Sequence, residues 1–407
     1  MIRALTALLL TAVTAVACQS ADNGSSRPDI IIASDLPTSA FESALPFEHA
    51  IDFAIRRQST IEGYSLAYWP LDDSLGAQQS QLRGRGNVRR MVADPRVLGM
   101  VGPFGSFVAR IEIPVANRAH LAMVSPTATS SCLTQAARIC QPTSAELRPT
   151  SSNNFFRLPA PDPLQGKAMG NYAATKLGLR RVAAFNEFGP EGNLYIKEFS
   201  DEFASKGGTV VYQQDLDDGT SDFSPFLTKA KLSGADAVYA VANVPQKACQ
   251  AAAQMSRSMP GATLLGTDGI SLDPACLSDI GATPPAIWAT SPTVDATANP
   301  DPAVKELVNA YLKAYPPAST VKLFANVTAY KFAAFDCARI LIDAIGRAIK
   351  GNGGKLPSRA QVVAALAQTR DFLGVTGTYS FDQNGDAVTP MMSMYTIRDG
   401  RWMRVPL

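Results

Sequence analysis

Val97-Leu98-Gly99-Met100-Val101, then Phe107 to Asn117, then Leu121-Ala122-Met123-Val124 decide how this chain folds. The outer two are short apolar runs, as expected of strands covered on both faces. The middle stretch reads as a helix. Strand, helix and strand in that order make a unit whose two strands run parallel. The alternation extends upstream. Asp29–Ala33 reads as a strand, and Tyr64–Trp69 as another. Between them Phe47, Ile51, Ala54 and Ile55 mark the inner face of a helix, and Glu48, Asp52 and Arg56 the wet one. Gln78–Val92 reads as a helix interrupted at Gly84 and Gly86. Strands alternating with helices in this way predict an α/β fold with a doubly wound parallel sheet.

Ser125–Asn154 breaks the pattern. It is rich in Ser, Thr, Pro and Cys, and reads as a long surface loop leading to a crossover. The alternation then restarts. Strands are expected at Phe155–Leu158, Arg181–Phe185, Thr209–Gln213, Ala237–Val241, Ala262–Leu265 and Ala286–Thr290. Helices are expected at Lys167–Leu177, Leu194–Ser205 and from the cap Ser224 with Pro225 at its first position. A second doubly wound lobe follows. Val327–Lys350 is a long helix with one polar stripe: Asp336, Arg339, Asp343, Arg347 and Lys350. The chain closes on hairpin signals at Gly377–Phe381, Met394–Ile397 and Arg401–Val405.

At 407 residues the chain is too long for one ordinary core, so two lobes are expected. Its net charge is +2, without a long run of one sign. The densest basic stretch, Arg83 to Arg90, lacks the breadth of a nucleic-acid footprint and reads as a solvated loop and helix start. Arg3 followed by the apolar run Ala4–Ala17 fits a signal-peptide core and is too short to span a membrane. The run ends Ala15-Val16-Ala17-Cys18, which resembles a bacterial lipobox with Ala15 in place of the usual Leu. Cys18 would carry the lipid and residues 19–28 would form a tether. The competing reading is a plain secretory peptide cut near Ala17. Either way the chain is exported, to a periplasmic or extracellular face where disulfides persist. Cys132 with Cys140, and Cys249 with Cys276, are the candidate pairs, and Cys337 is left as a buried thiol. The cysteines lack C-x-x-C spacing, and the two histidines, His49 and His120, sit in separate elements, so no metal site is expected.

Several phrases taken together resemble the leucine/isoleucine/valine-binding family of type I periplasmic binding proteins. They are Ser34-Asp35-Leu36-Pro37, Val101-Gly102-Pro103 with Ser106, and Ile113-Pro114-Val115-Ala116-Asn117. Further along come Val124-Ser125-Pro126-Thr127-Ala128-Thr129 with Leu133-Thr134, Gln165-Gly166, Gly266-Thr267-Asp268-Gly269, and Gly374 to Thr378 leading to Phe381-Asp382. The resemblance implies two Rossmann-like lobes joined by a three-stranded hinge, with crossings near Pro161, Thr290 and Leu373. Residues 29–160 with 290–372 would form one lobe, and 161–289 with 373–407 the other. It also implies a ligand in the cleft and an ABC permease as partner, with no cofactor.

The residues themselves agree with a cleft site. In open parallel sheets ligands bind beyond the carboxyl ends of strands. Ser106, Thr127 and Thr129 follow neighbouring strands and offer donors for a carboxylate at a helix start. Asp268 matches the family's acidic residue for an ammonium. For Ser106 a simple N-cap, and for Asp268 a turn aspartate, are the plainer explanations. The chain departs from the family at Phe188-Gly189-Pro190 and at Asn243, where tyrosines are usual, which puts branched-chain specificity in question. The expectation is an amino-acid-like ligand bound by hinge closure, with a sensor of the same fold as the alternative. Motifs for an enzyme are missing: the chain has neither G-x-S-x-G nor H-E-x-x-H, and no phosphate or dinucleotide loop.

Overall fold

Ile30–Asp35 forms β1, and all six of its residues are buried. A computed structural model describes it together with the rest of residues 27–41, 44–217, 219–242, 245–272, 280, 285–316 and 327–407. After β1 come α1 (Leu45–Arg57), β2 (Tyr64–Leu71), α2 (Gln81–Ala93) and β3 (Val97–Val101). Then follow α3 (Ser106–Arg118), β4 (Ala122–Ser125) and β5 (Phe155–Arg157). The strands pair in parallel in the order β2-β1-β3-β4-β5, with a two-residue strand, Thr60–Ile61, folded antiparallel outside β2. Alternate β1 side chains reach opposite faces, as strand geometry requires. Ile31 and Ala33 join Val88, Met91, Ala109 and Ile113 under α2 and α3. Ile30 and Ile32 join Phe47 and Ile51 of α1. Gly84 and Gly86 do not interrupt α2. An added Cβ at Gly84 would lie 2.6 Å from Val108 Cγ1, so the glycine permits α2 to lie against α3.

The chain then crosses to a second sheet through Ala160, whose N–H donates to Pro292 O at 3.2 Å. Its elements are α4 (Asp162–Thr175), β6 (Arg181–Asn186), α5 (Gly192–Ser205), β7 (Thr209–Asp215) and α6 (Ser224–Leu232). Next are β8 (Ala237–Val241), α7 (Pro245–Ser258), β9 (Thr263–Gly266), α8 (Asp268–Leu272) and β10 (Ala286–Ser291). The sheet order β7-β6-β8-β9-β10 repeats that of the first sheet, again all parallel. The helices α4 and α5 cover one face through Met169, Phe199 and Phe203. On the other lie Phe226, Leu227, Ala252 and Met255. The cap of α6 falls differently from its expected place: Asp222 accepts the Ser224 N–H at 2.9 Å, and Ser224 is already helical.

The chain returns to the first sheet as α9 (Pro302–Ala314), α10 (Val327–Gly351) and α11 (Arg359–Ala367). Phe335, Leu341 and Ile345 of α10 enter the same core as Phe47 and Ile51. Strands β11 (Ser393–Arg398) and β12 (Arg401–Val405) extend the second sheet antiparallel beside β10. The last crossing lies past Ala387, not near Leu373. Val375, Tyr379, Phe381 and Ala387 belong to the first-lobe core. Asp336 on α10 accepts the N–H groups of Val375 and Thr376, both at 2.9 Å, and the Thr376 hydroxyl at 2.6 Å. A hairpin signal carries no mark of the sheet it will join, so the sequence placed this segment with the wrong lobe.

Arg157, fully buried at the end of β5, organises the loop after β4. Its Nε donates to Asp386 Oδ1 at 2.7 Å, Nη1 to Ser130 O at 2.6 Å and Nη2 to Thr134 Oγ1 at 2.6 Å. Burial works against the Asp386 charge. The Arg157 guanidinium, with Gln135 and Thr134 as further donors, still holds the carboxyl below its usual range. A disulfide joins Cys132 to Cys140 in the same loop. Cys249 on α7 is also disulfide-bonded, and Cys276 lies outside the described residues. Cys337 is a buried free thiol. Asp386→Ala strands the Arg157 charge in the interior and should cost about 3–5 kcal/mol. Urea unfolding should show the loss, and Arg157→Met with Asp386→Leu should recover most of it.

Candidate functional site

The carboxyl ends of β3 and β4 form one edge of the cleft. Gly105 is the N-cap of α3 and has no side chain to accept a first-turn N–H, and Ser106 is the first helical residue, not its cap. The Ser106 hydroxyl accepts the Ser130 N–H at 3.1 Å, which leaves its own proton to give. Thr127 stands beside it and donates its hydroxyl to Phe104 O at 2.6 Å. Thr129 turns toward the first crossing. Its carbonyl accepts the Asp162 N–H at 3.0 Å and its hydroxyl bonds the Asp162 carboxylate. The loop thus brings Ser106 and Thr127 to one edge and commits Thr129 to the hinge.

The opposing edge belongs to the second lobe. Asp268 opens α8 directly after β9. Gln165 Nε2 donates to its Oδ1 at 2.9 Å, and the Tyr330 hydroxyl to its Oδ2 at 2.7 Å. Tyr330 sits on α10 in the first-lobe core, so this bond spans the two lobes. Gln165 is itself fixed by the Thr290 hydroxyl at 2.8 Å and the Asp268 N–H at 3.2 Å. Burial pushes the Asp268 carboxyl up, against the pull of Gln165 and Tyr330. Asp162, buried at the start of α4, is pushed up to about 6 by burial although Tyr195 donates to it at 2.5 Å. Phe188 meets Tyr195 edge-on, with ring centroids 6.1 Å apart. Asn243 lies outside the described residues.

Sequence reasoning did not foresee Asp162, Tyr195 or Tyr330. Only Gln165 carried a signal, as part of the Gln165-Gly166 phrase. An added Cβ at Gly166 would lie 2.2 Å from Tyr195 O, so this glycine lets α5 approach α4 and bring Tyr195 to Asp162.

Beneath the first-lobe edge lies a buried acidic group. Asp35 ends β1, Glu112 lies on α3 and Asp73 follows β2, all with 0% exposure. Asn87 donates to Asp35 Oδ1 at 2.8 Å. Asp35 Oδ2 and both Glu112 oxygens meet no N–H or O–H donor of another residue type. A proton kept on Glu112 and donated to Asp35 would satisfy Asp35 Oδ2 and one of the two Glu112 oxygens. Burial, reinforced by the neighbouring acids, raises Glu112 well above its ordinary value, Asp35 to about 6 and Asp73 to about 7. Among the described residues no group of His, Cys, Asp or Glu is arranged to hold a metal, and no helix is long and apolar enough to cross a membrane. A carboxyl whose folded pKa is raised favours the folded state at low pH and loses that contribution as pH rises through the folded value. The melting temperature of Asp73→Asn should therefore gain on that of the parent between pH 5 and pH 8, in roughly the window from the free value near 4 to about 7.

Known proteins share this architecture. A family model described as periplasmic binding protein matches residues 37–401. The Leu/Ile/Val-binding protein homolog 3 of Brucella melitensis is 25% identical over 300 residues, 73% of each chain. The crystal structure of a leucine-binding protein, LivK, from Thermotoga maritima superposes with a TM-score of 0.73 at 22% identity, over 93% of this chain and 98% of that one. A solute-binding protein of an ABC transporter from R. palustris, solved with benzoate, has a TM-score of 0.68 at 16% identity, over 92% and 95% of the two chains.

Proposed function

The chain belongs to the periplasmic binding protein family, and on that basis we propose that it delivers an amino acid or similar small zwitterion to an ABC importer outside the cytoplasmic membrane. The observation that carries this reading is Asp268, a carboxylate shielded from water on the second lobe and bonded to Tyr330 of the first, taken with the free proton of the Ser106 hydroxyl at the N-terminus of α3 on the first lobe. The helix end and the Ser106 hydroxyl, whose proton is free, suit a ligand carboxylate, whereas the Thr127 proton is held by Phe104 O. An ammonium at Asp268 would offset the cost of keeping that carboxylate out of water. Each end of the ligand engages a different lobe, so binding favours the closed state over the open one. Phe188 would supply an apolar wall, and Asn243 a directional polar contact.

A second reading has an observation of its own. Both Asp268 oxygens already accept bonds, from Gln165 and from Tyr330. A ligand without an amine would leave that network untouched, and one structural relative carries benzoate. A thermal-shift screen of amino acids, small amides and aromatic acids separates the two. At 100 times its dissociation constant a ligand adds about 2.7 kcal/mol, which is visible as a shifted midpoint. A shift with an amino acid, lost in Asp268→Ala, is the expected result. A shift only with acids that lack an amine would remove the ammonium role from Asp268, and no shift with any compound would favour a different ligand class or a degenerate cleft.

The lipid anchor at Cys18 is part of the same proposal. Cys18→Ser expressed in a Gram-negative host should move the protein from the membrane fraction to the soluble extract. Retention in the membrane fraction would exclude Cys18 as the anchor.

A further inference from the structure

The turn after Phe188-Gly189-Pro190 sends Glu191 of the second lobe across to the first. There its carboxylate pairs with the Arg110 guanidinium and accepts the Ser130 hydroxyl. Arg110 lies on α3, four residues after Ser106 and so on the same helix face. Ser130 follows β4 and gives its N–H to Ser106. The ion pair is largely screened from water, with side-chain exposures of 23% for Arg110 and 15% for Glu191. Arg110 also makes a long contact, 3.5 Å, to Gln141 O and feels the charge of Asp162. The Tyr330–Asp268 bond spans the lobes within the cleft and belongs to the site proper. The Glu191 contact instead joins the lobes at a residue to which the ligand-binding reading gives no role.

We propose that Arg110, Ser130 and Glu191 form a latch that ties the lobes together without a ligand. Opening the cleft returns both charges to water and breaks a charge-assisted bond. A sheltered, hydrogen-bonded pair of this kind is worth more than an exposed one. The latch therefore biases the open–closed equilibrium toward closure before the ligand arrives. A protein whose competent state is more populated binds with higher apparent affinity in proportion. The inference rests on the reading of the chain as a two-lobed binding protein, and its test does not need the ligand.

The test is small-angle X-ray scattering of the ligand-free protein at physiological salt. Glu191→Gln and Arg110→Gln should each give a larger radius of gyration than the parent. The charge swap, Arg110→Glu with Glu191→Arg, should restore the smaller value, which loss of local packing alone would not do. Identical scattering curves for the parent and both single variants would overturn the latch. Titrations of L-leucine and benzoate into the parent report separately on the ligand reading. Absence of heat with either counts against a leucine-like or benzoate-like ligand and leaves the scattering result standing. Where one binds, Glu191→Gln should weaken it by about tenfold. Tighter binding in Glu191→Gln would instead mark Glu191 as a competitor for the ligand's place at Arg110, and would also overturn the latch.

Discussion

The buried pair Arg157–Asp386 is the constraint on which the first-lobe edge depends. Arg157 ends β5, and Asp386 comes from the segment just before the chain leaves for β11. A guanidinium taken out of water must have its donors met. Asp386, Thr134 and the carbonyls of Ala128 and Ser130 meet them. Satisfying one charge therefore fixes the course of the loop after β4. Three residues of that loop then point three ways. Thr127 serves the cleft edge, Thr129 the hinge, and Ser130 the second lobe.

The repeated sheet order has a comparable consequence. In each sheet the switch point falls between the first strand and its inner neighbour, where connections depart to opposite faces and leave a crevice. Ser106 follows β3 in one lobe, while Phe188 and Glu191 follow β6 in the other. The lobes meet where these strand ends approach, through Tyr330 on Asp268 and through Arg110 and Ser130 on Glu191. These contacts join polar groups that are carried by two separate cores.

Much of the fold was legible because buried parallel strands are written as continuous apolar runs. Ile30–Ala33, Val97–Val101 and Ala237–Val241 needed no partner information to be recognised. Gly84 misled because a helix-breaking propensity of roughly 1 kcal/mol relative to alanine is small beside the packing of α2 on α3. The last crossing misled because Thr376 and Phe381 are held by Asp336 and Phe156, residues far away in sequence. The positions of Ser106 and Asp268 just after strands were legible from the order of apolar runs. Tyr330 and Asp162 were not, since a tyrosine on an apolar helix and an acid before a proline have common structural explanations.

The order of amino acids alone carries the alternation of strands and helices, the need for two lobes and the strand ends at which polar groups gather. These follow from local periodicity and from the length of chain one core can cover. Packing in three dimensions settled which lobe holds residues 374–387, that Thr129 serves the hinge, and that Glu191 reaches Arg110. Each of those depends on a partner from another element, and the chemistry of a single residue does not record which partner folding will bring within hydrogen-bond distance.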